Sequence, residues 1–150
     1  PDPLMDELEA LKDQAARQEE KYLRLAAEYD NFRKRTAKEK EAIWNDAKAD
    51  AALAFLPVYD NLERALKQET ADEAYKKGVE MTMNQLKTVL EKLGITEIEA
   101  LGQPFDPALH NAVMHIEDEN FGENTVAEVF QAGFRLGDKV VRFAMVKVAN

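Results

Sequence analysis

Between Leu4 and Leu56 the chain reads LMDELEALKDQAARQEEKYLRLAAEYDNFRKRTAKEKEAIWNDAKADAALAFL, with neither proline nor glycine. Leu8, Ala15, Tyr22, Tyr29, Thr36 and Ile43 recur at sevens, and Leu4, Leu11, Gln18, Leu25, Phe32 and Glu39 interleave with them. This alternating four-and-three spacing is the seam of a coiled coil, sustained for about six heptads. At 1.5 Å per residue the stretch predicts one helix of roughly 75–80 Å. Such a helix outruns any small domain of its own chain, so its apolar stripe calls for a partner helix, most simply a second copy. Gln18, Thr36 and Glu39 interrupt the stripe and make the pairing weak. The competing reading is a lone solvated helix laced by i,i+4 charge pairs. That reading leaves Tyr22, Tyr29 and Phe32 exposed without purpose.

Outside this stretch the composition changes. The chain has 150 residues, 45% of them hydrophobic, but Glu, Lys, Ala, Asp and Arg dominate the first third while Val, Phe and Gly gather in the last. A helix composition at one end and a sheet composition at the other predict an α+β chain with a rod and a separate small domain.

Near Ile43 the heptad phase fails, because Asp46 and Asp50 fall at core positions and the apolar face moves to Ala47, Ala51, Ala54 and Phe55. Pro57 predicts a kink or break at Leu56. A short helix should follow, with Val58, Leu62, Ala65 and Leu66 on one side. Glu69-Thr70-Ala71-Asp72 reads as a turn with Asp72 as N-cap, and the next helix carries Val79, Met83, Leu86, Leu90 and Leu93 before stopping at Gly94. Two such helices are marginal alone, whereas two copies of the chain make a four-helix bundle. Gly78 inside the second helix predicts a close helix–helix approach, with simple tolerance as the other reading.

Beyond Gly94 the segments Ile95–Ile98, Ala112–Ile116, Val126–Phe130 and Val140–Val148 read as strands, with a tight turn at Leu136-Gly137-Asp138. The expected division is therefore 1–56 long coiled-coil-like helix, 57–94 bundle helices and 95–150 all-β domain.

The residue inventory is poor in chemistry. Neither cysteine nor serine occurs, which removes disulfides, thiolate metal sites and the two commonest nucleophiles, and fits a reducing cytoplasmic compartment. His110 and His115, the only histidines, lack zinc-helix spacing and companion ligands, so a structural or capping role is expected. No glycine-rich phosphate loop is present. No apolar run reaches the roughly 18 residues of a membrane span, and no signal-peptide pattern opens the chain, although Pro1 at its head is compatible with a preceding segment. A net charge of −9 disfavours nucleic acid as partner. The basic run Arg33-Lys34-Arg35, with Lys38 and Lys40, reads either as a contact patch or as a solvated helix face among Glu28, Asp30, Glu39 and Glu41. The composition points to a non-catalytic interaction protein.

Three stretches carry a family resemblance. Ala27-Glu28-Tyr29-Asp30-Asn31-Phe32-Arg33-Lys34-Arg35 is similar to a rod motif, and Phe55-Leu56-Pro57-Val58-Tyr59-Asp60-Asn61-Leu62-Glu63-Arg64-Ala65-Leu66 to a junction motif. Phe105-Asp106-Pro107, His110, Ala112-Val113, Gly133-Phe134, Asp138, Val141-Arg142, Ala144, Val146 and Val148 resemble a C-terminal signature. All three resemble the GrpE family, the nucleotide exchange factors of DnaK-type heat-shock chaperones, in family order along nearly the whole chain.

The resemblance implies a cytoplasmic homodimer: parallel paired rods, a central four-helix bundle and one β-domain per chain. Leu8, Tyr22, Leu25, Tyr29 and Phe32 would lie on the rod seam, and Leu62, Leu66, Gly78, Val79, Met83, Leu86 and Leu90 in the bundle. It further implies that a β-domain holds open the chaperone's ATPase domain so that ADP leaves, with no cofactor, metal or catalytic residue of its own. Lys139, Val148 and the Leu136-Gly137-Asp138 turn would form the chaperone-facing surface, with Arg33 reaching the same partner from the rod. Lys139 stands where many members carry Arg, which turns a bidentate contact into a point-charge contact. A structural coiled-coil scaffold capped by the β-domain is the alternative reading.

Overall fold

The computed structural model describes residues 2–150 and divides into two compact units, Pro1–Trp44 and Asn45–Asn150. The element order is α1 (Pro3–Leu66), α2 (Glu73–Lys92), β1 (Ile95–Glu97), β2 (His110–Ile116), β3 (Thr125–Gln131), β4 (Phe134–Leu136), β5 (Lys139–Arg142) and β6 (Ala144–Ala149). The chain is α+β, with a long N-terminal helix, a second helix and two small sheets.

Within the first unit every described residue is helical or flanks the helix, and none is buried. Leu8, Tyr22, Leu25, Tyr29 and Phe32 all stand exposed, Tyr22 at 69%. Among the described residues of the first unit, the heptad stripe is left open.

In the second unit α1 does not break at Leu56 as the sequence predicts. It continues through Pro57 to Leu66. A proline there removes the bond to the carbonyl of Leu53, but both residues lie on an exposed face, so that carbonyl can be hydrated. On the opposite face Ala49, Ala52, Leu56 and Tyr59 are buried and pin the helix on both sides of the proline. Packing overrides the local preference. The same finding corrects the expected apolar face. Ala51, Ala54 and Phe55 are left open, and the stripe one position away carries the core.

The turn into α2 forms as its residues dictate. Asp72 accepts a hydrogen bond from the Tyr75 N–H at 3.1 Å as N-cap, and Gly94 ends the helix at φ +80°, a conformation that favours glycine.

Sheet I has the order β1-β4-β5, all antiparallel; sheet II has the order β2-β6-β3, with β6 parallel to β2 and antiparallel to β3. The expected strand Val140–Val148 is two strands in different sheets. Val140 to Arg142 lie in β5 of sheet I, the run is interrupted at Phe143, and β6 then enters sheet II. Strand β4, unread in the sequence, is short and supplies the partner of both β1 and β5.

One core joins helices and sheet I through Ala52, Leu56, Tyr59, Met83, Leu90, Ile95, Ala132 and Phe134. Tyr59 meets Phe134 edge to face at a centroid distance of 5.0 Å. A second core lies on sheet II, around Ala100, Val126, Ala144, Val146 and Val148. The two sheets close on each other at Gly133, where a Cβ would sit 2.4 Å from the Ala144 backbone nitrogen. Only glycine fits there. At Gly78, where the sequence predicts a close approach, an added Cβ meets nothing within 4 Å, so among the described residues no neighbour explains that glycine.

Arg142 at the end of β5 ties these parts together. Its NH1 and NH2 groups donate to Asp60 Oδ2 and Oδ1 of α1, each at 2.8 Å, and its Nε and NH2 groups donate to the Ala132 carbonyl at 3.0 and 2.7 Å. The pair is mostly buried, at 15% and 19% exposure. Removing one partner strands the other charge, a loss that reaches 3–5 kcal/mol for a fully buried pair. Because some solvent reaches this one, Arg142→Ala should cost about 3 kcal/mol, read as the shift in urea unfolding free energy. A cost under about 1 kcal/mol would mean the pair behaves as a surface ion pair.

Candidate functional site

The β4–β5 hairpin is the most prominent of the expected contact sites. Leu136 pairs with Lys139 across a two-residue turn, and Gly137 adopts φ +57°, as the first central position of a II′-type turn requires. Leu136 packs inward against the helix–sheet core, while Gly137, Asp138 and Lys139 are exposed at the tip. The hairpin is thus anchored at its base and exposed at its end.

Lys139 is not free in the unbound chain. Its Nζ donates to Asp46 Oδ1 of α1 at 2.7 Å, and this bond, with the nearby charge of Asp50, holds the ammonium above its ordinary pKa. Asp46 drew attention in the sequence only as an acid at a heptad core position; its role as the acceptor for a hairpin lysine was not legible.

Val148 departs from expectation. It lies in β6, the middle strand of sheet II, and is 4% exposed. A side chain so covered by its own chain offers little surface to a partner, and it packs in the core on sheet II. The signal was present in the alternation Ala144, Val146, Val148, which marks an inward face.

Arg33 lies in the first unit, exposed, with its NH2 group donating to Asp30 at 3.1 Å; Lys34 reaches the other oxygen of Asp30 at 2.9 Å. Hydrogen bonding to Lys34, then to Arg33, lowers the pKa of Asp30. With Arg35 near Glu39 at 3.8 Å, each cation of Arg33-Lys34-Arg35 has an acidic neighbour on its own helix, which suits a solvated face.

The bundle positions divide. Met83 and Leu90 are buried in the chain's own core, and Leu62, Leu66 and Leu86 pack against it, because this stripe faces the β-strands. Val79 is half-buried and Gly78 exposed. The open apolar surface of these helices is carried instead by Phe55 and Val58 on α1 and by Tyr75, Met81 and Val89 on α2.

His110 is buried, and its Nδ1 accepts from the Asp106 N–H at 3.0 Å, so the ring proton resides on Nε2, which has no partner among the described residues. This is the structural role expected of it. His115 is exposed. Among the described residues no group of three or more His, Asp or Glu is placed to hold a metal ion, and no helix is long and apolar enough to cross a membrane.

The arrangement is an anchored hairpin on a two-sheet unit, with apolar helical faces left exposed. Comparison with known proteins is specific. A family model for GrpE matches residues 2–150. The chain is 58% identical to Protein GrpE of Clostridium acetobutylicum over 144 residues, covering 96% of this chain and 68% of the relative. It is 57% identical to Protein GrpE of Clostridium beijerinckii over 131 residues (87% and 63%) and 48% identical to that of Geobacillus stearothermophilus over 133 residues (87% and 60%). This chain belongs to the GrpE family and spans about two thirds of the length of these relatives.

Two outcomes follow from this geometry. Val148→Ala should lose about 2 kcal/mol of stability through lost burial and a residual cavity, while Lys139→Ala, at the surface, should leave the urea midpoint nearly unchanged. Equal midpoints for both variants would contradict the placement of Val148.

Burial, opposed by the charge of Asp106, lowers the pKa of His110 below its ordinary 6.5. The unfolded chain therefore takes up the proton first as pH falls. The stability that His110 contributes is complete above about pH 6.5 and is lost as pH drops toward the lowered folded value. Wild type should show a lower urea midpoint at about pH 5.5 than at about pH 7.5, with the difference reduced in His110→Gln. A difference unchanged by the substitution would assign it to other groups.

Proposed function

We propose that this chain acts as a nucleotide exchange factor for a DnaK-type chaperone, a co-chaperone and not an enzyme. Membership of the GrpE family along residues 2–150 carries the reading. The factor makes and breaks no bond. It binds the open, nucleotide-free ATPase domain better than the closed one, and this difference drives ADP out. A hundredfold weakening of nucleotide binding needs about 2.7 kcal/mol of differential contact, which a few well-packed contacts can supply.

The active form in this reading is a homodimer with parallel rods. Support comes from the exposed heptad residues Leu8, Tyr22, Leu25, Tyr29 and Phe32, and from Phe55, Val58, Met81 and Val89 on the helices of the second unit. The exposed hairpin tip at Gly137, Asp138 and Lys139 is the proposed grip on the ATPase domain, with Leu136 seating it and Arg33 a secondary contact. A location in the cytoplasm, where such chaperones work, belongs to the same reading.

The test is release of fluorescently labelled ADP from a DnaK-type chaperone, with light scattering on the same preparation. Accelerated release by an elongated dimer is expected. An unchanged release rate would favour the scaffold reading, and a compact monomer at micromolar concentration would remove the paired rods.

A further inference from the structure

Lys139 is the basic residue of the proposed hairpin grip, and in the unbound chain it is already occupied. Its ammonium donates to Asp46 at 2.7 Å, across 93 residues of sequence. Asp50 stands one turn further along α1 and adds its charge to the same ammonium. Among the described residues no other side chain accepts from Lys139. Both ends of the pair are exposed, 42% for the lysine and 60% for the aspartate, so neither is committed by burial. The lysine stem is flexible and its ammonium compact, so it can change partners without moving the hairpin backbone.

We propose that Asp46, reinforced by Asp50, is an autoinhibitory stand-in for an acidic group of the partner, one that the partner must displace before Lys139 can engage it. The proposal rests on the functional reading above and adds to it the chemistry of one contact, a carboxylate on the ATPase domain. Two effects act in the same direction. Asp46 holds the ammonium back on α1, and the two α1 carboxylates repel an incoming one. Both are electrostatic and weaken with salt. Because the pair is exposed, its competition is modest.

The experiment titrates full-length wild type, Asp46→Asn and Asp46→Asn/Asp50→Asn against the nucleotide-free ATPase domain of a DnaK-type chaperone. Titrations run at low and at physiological ionic strength. The variants should bind about two- to fivefold more tightly, mainly through faster association, with a smaller gain at higher salt. In a Lys139→Ala background Asp46→Asn should give a smaller gain, because only the repulsion of the incoming carboxylate is left to relieve. Affinity that is unchanged or weaker in Asp46→Asn, with wild type binding normally, overturns the proposal alone, as does an equal gain in the Lys139→Ala background. Absence of binding by wild type overturns the functional reading and this proposal with it.

Discussion

Arg142 and Asp60 lie 82 residues apart, and the organisation of the second unit depends on their meeting. Four donor contacts from one guanidinium join α1, the segment between β3 and β4, and β5. Desolvating two charges is unfavourable unless geometry and extra hydrogen bonds offset it. Both conditions hold here. The contact is bidentate, two further donors reach the Ala132 carbonyl, the guanidinium lies over the Phe134 ring at 5.8 Å, and Gln131 adds a bond to Asp60 at 3.3 Å. A hydrophobic contact could tolerate sliding of the sheet along the helix. A planar fork on a carboxylate permits one register.

That register sets the consequences further out. It brings Phe134 against Tyr59, whose phenol burial raises to about 12, so the packed ring stays neutral across the physiological range. It places Ala132 and Gly133 where the Ala144 backbone can pass, and so fixes where the chain leaves sheet I for sheet II. The hairpin that follows β4 is rigid at its base for the same reason. A binding factor that works by preferring one state of its partner benefits from such stiffness, since order present beforehand is not lost on binding.

Local chemistry was the legible part of this sequence. The Asp72 cap, the Gly94 stop and the Gly137 turn are each decided by a few neighbouring residues, and each stands as read. What stayed hidden depends on distant partners. Pro57 reads as a break until Leu56 and Tyr59 are seen buried on the opposite face. The run from Val140 to Val148 looks like one strand because nothing local announces that Arg142 is held by α1 while Ala144 belongs to the other core. Val148 was assigned to a surface by family resemblance, although its alternation with Val146 already marked it as inward-facing. Asp60 and Asp46 were visible as acids on a helix, and only the fold supplies the cations that give them roles.

The central claim is that this protein works by differential affinity, and thermodynamic linkage makes that claim testable at equilibrium. If the protein drives ADP out by preferring the open ATPase domain, ADP must weaken its binding by the same factor by which it weakens ADP binding. The direct measurement is therefore calorimetric titration of the protein into the ATPase domain with and without saturating ADP, paired with ADP titrations with and without the protein. The account predicts two equal ratios, both well above one. Equal affinity for the ADP-bound and nucleotide-free domains would contradict it.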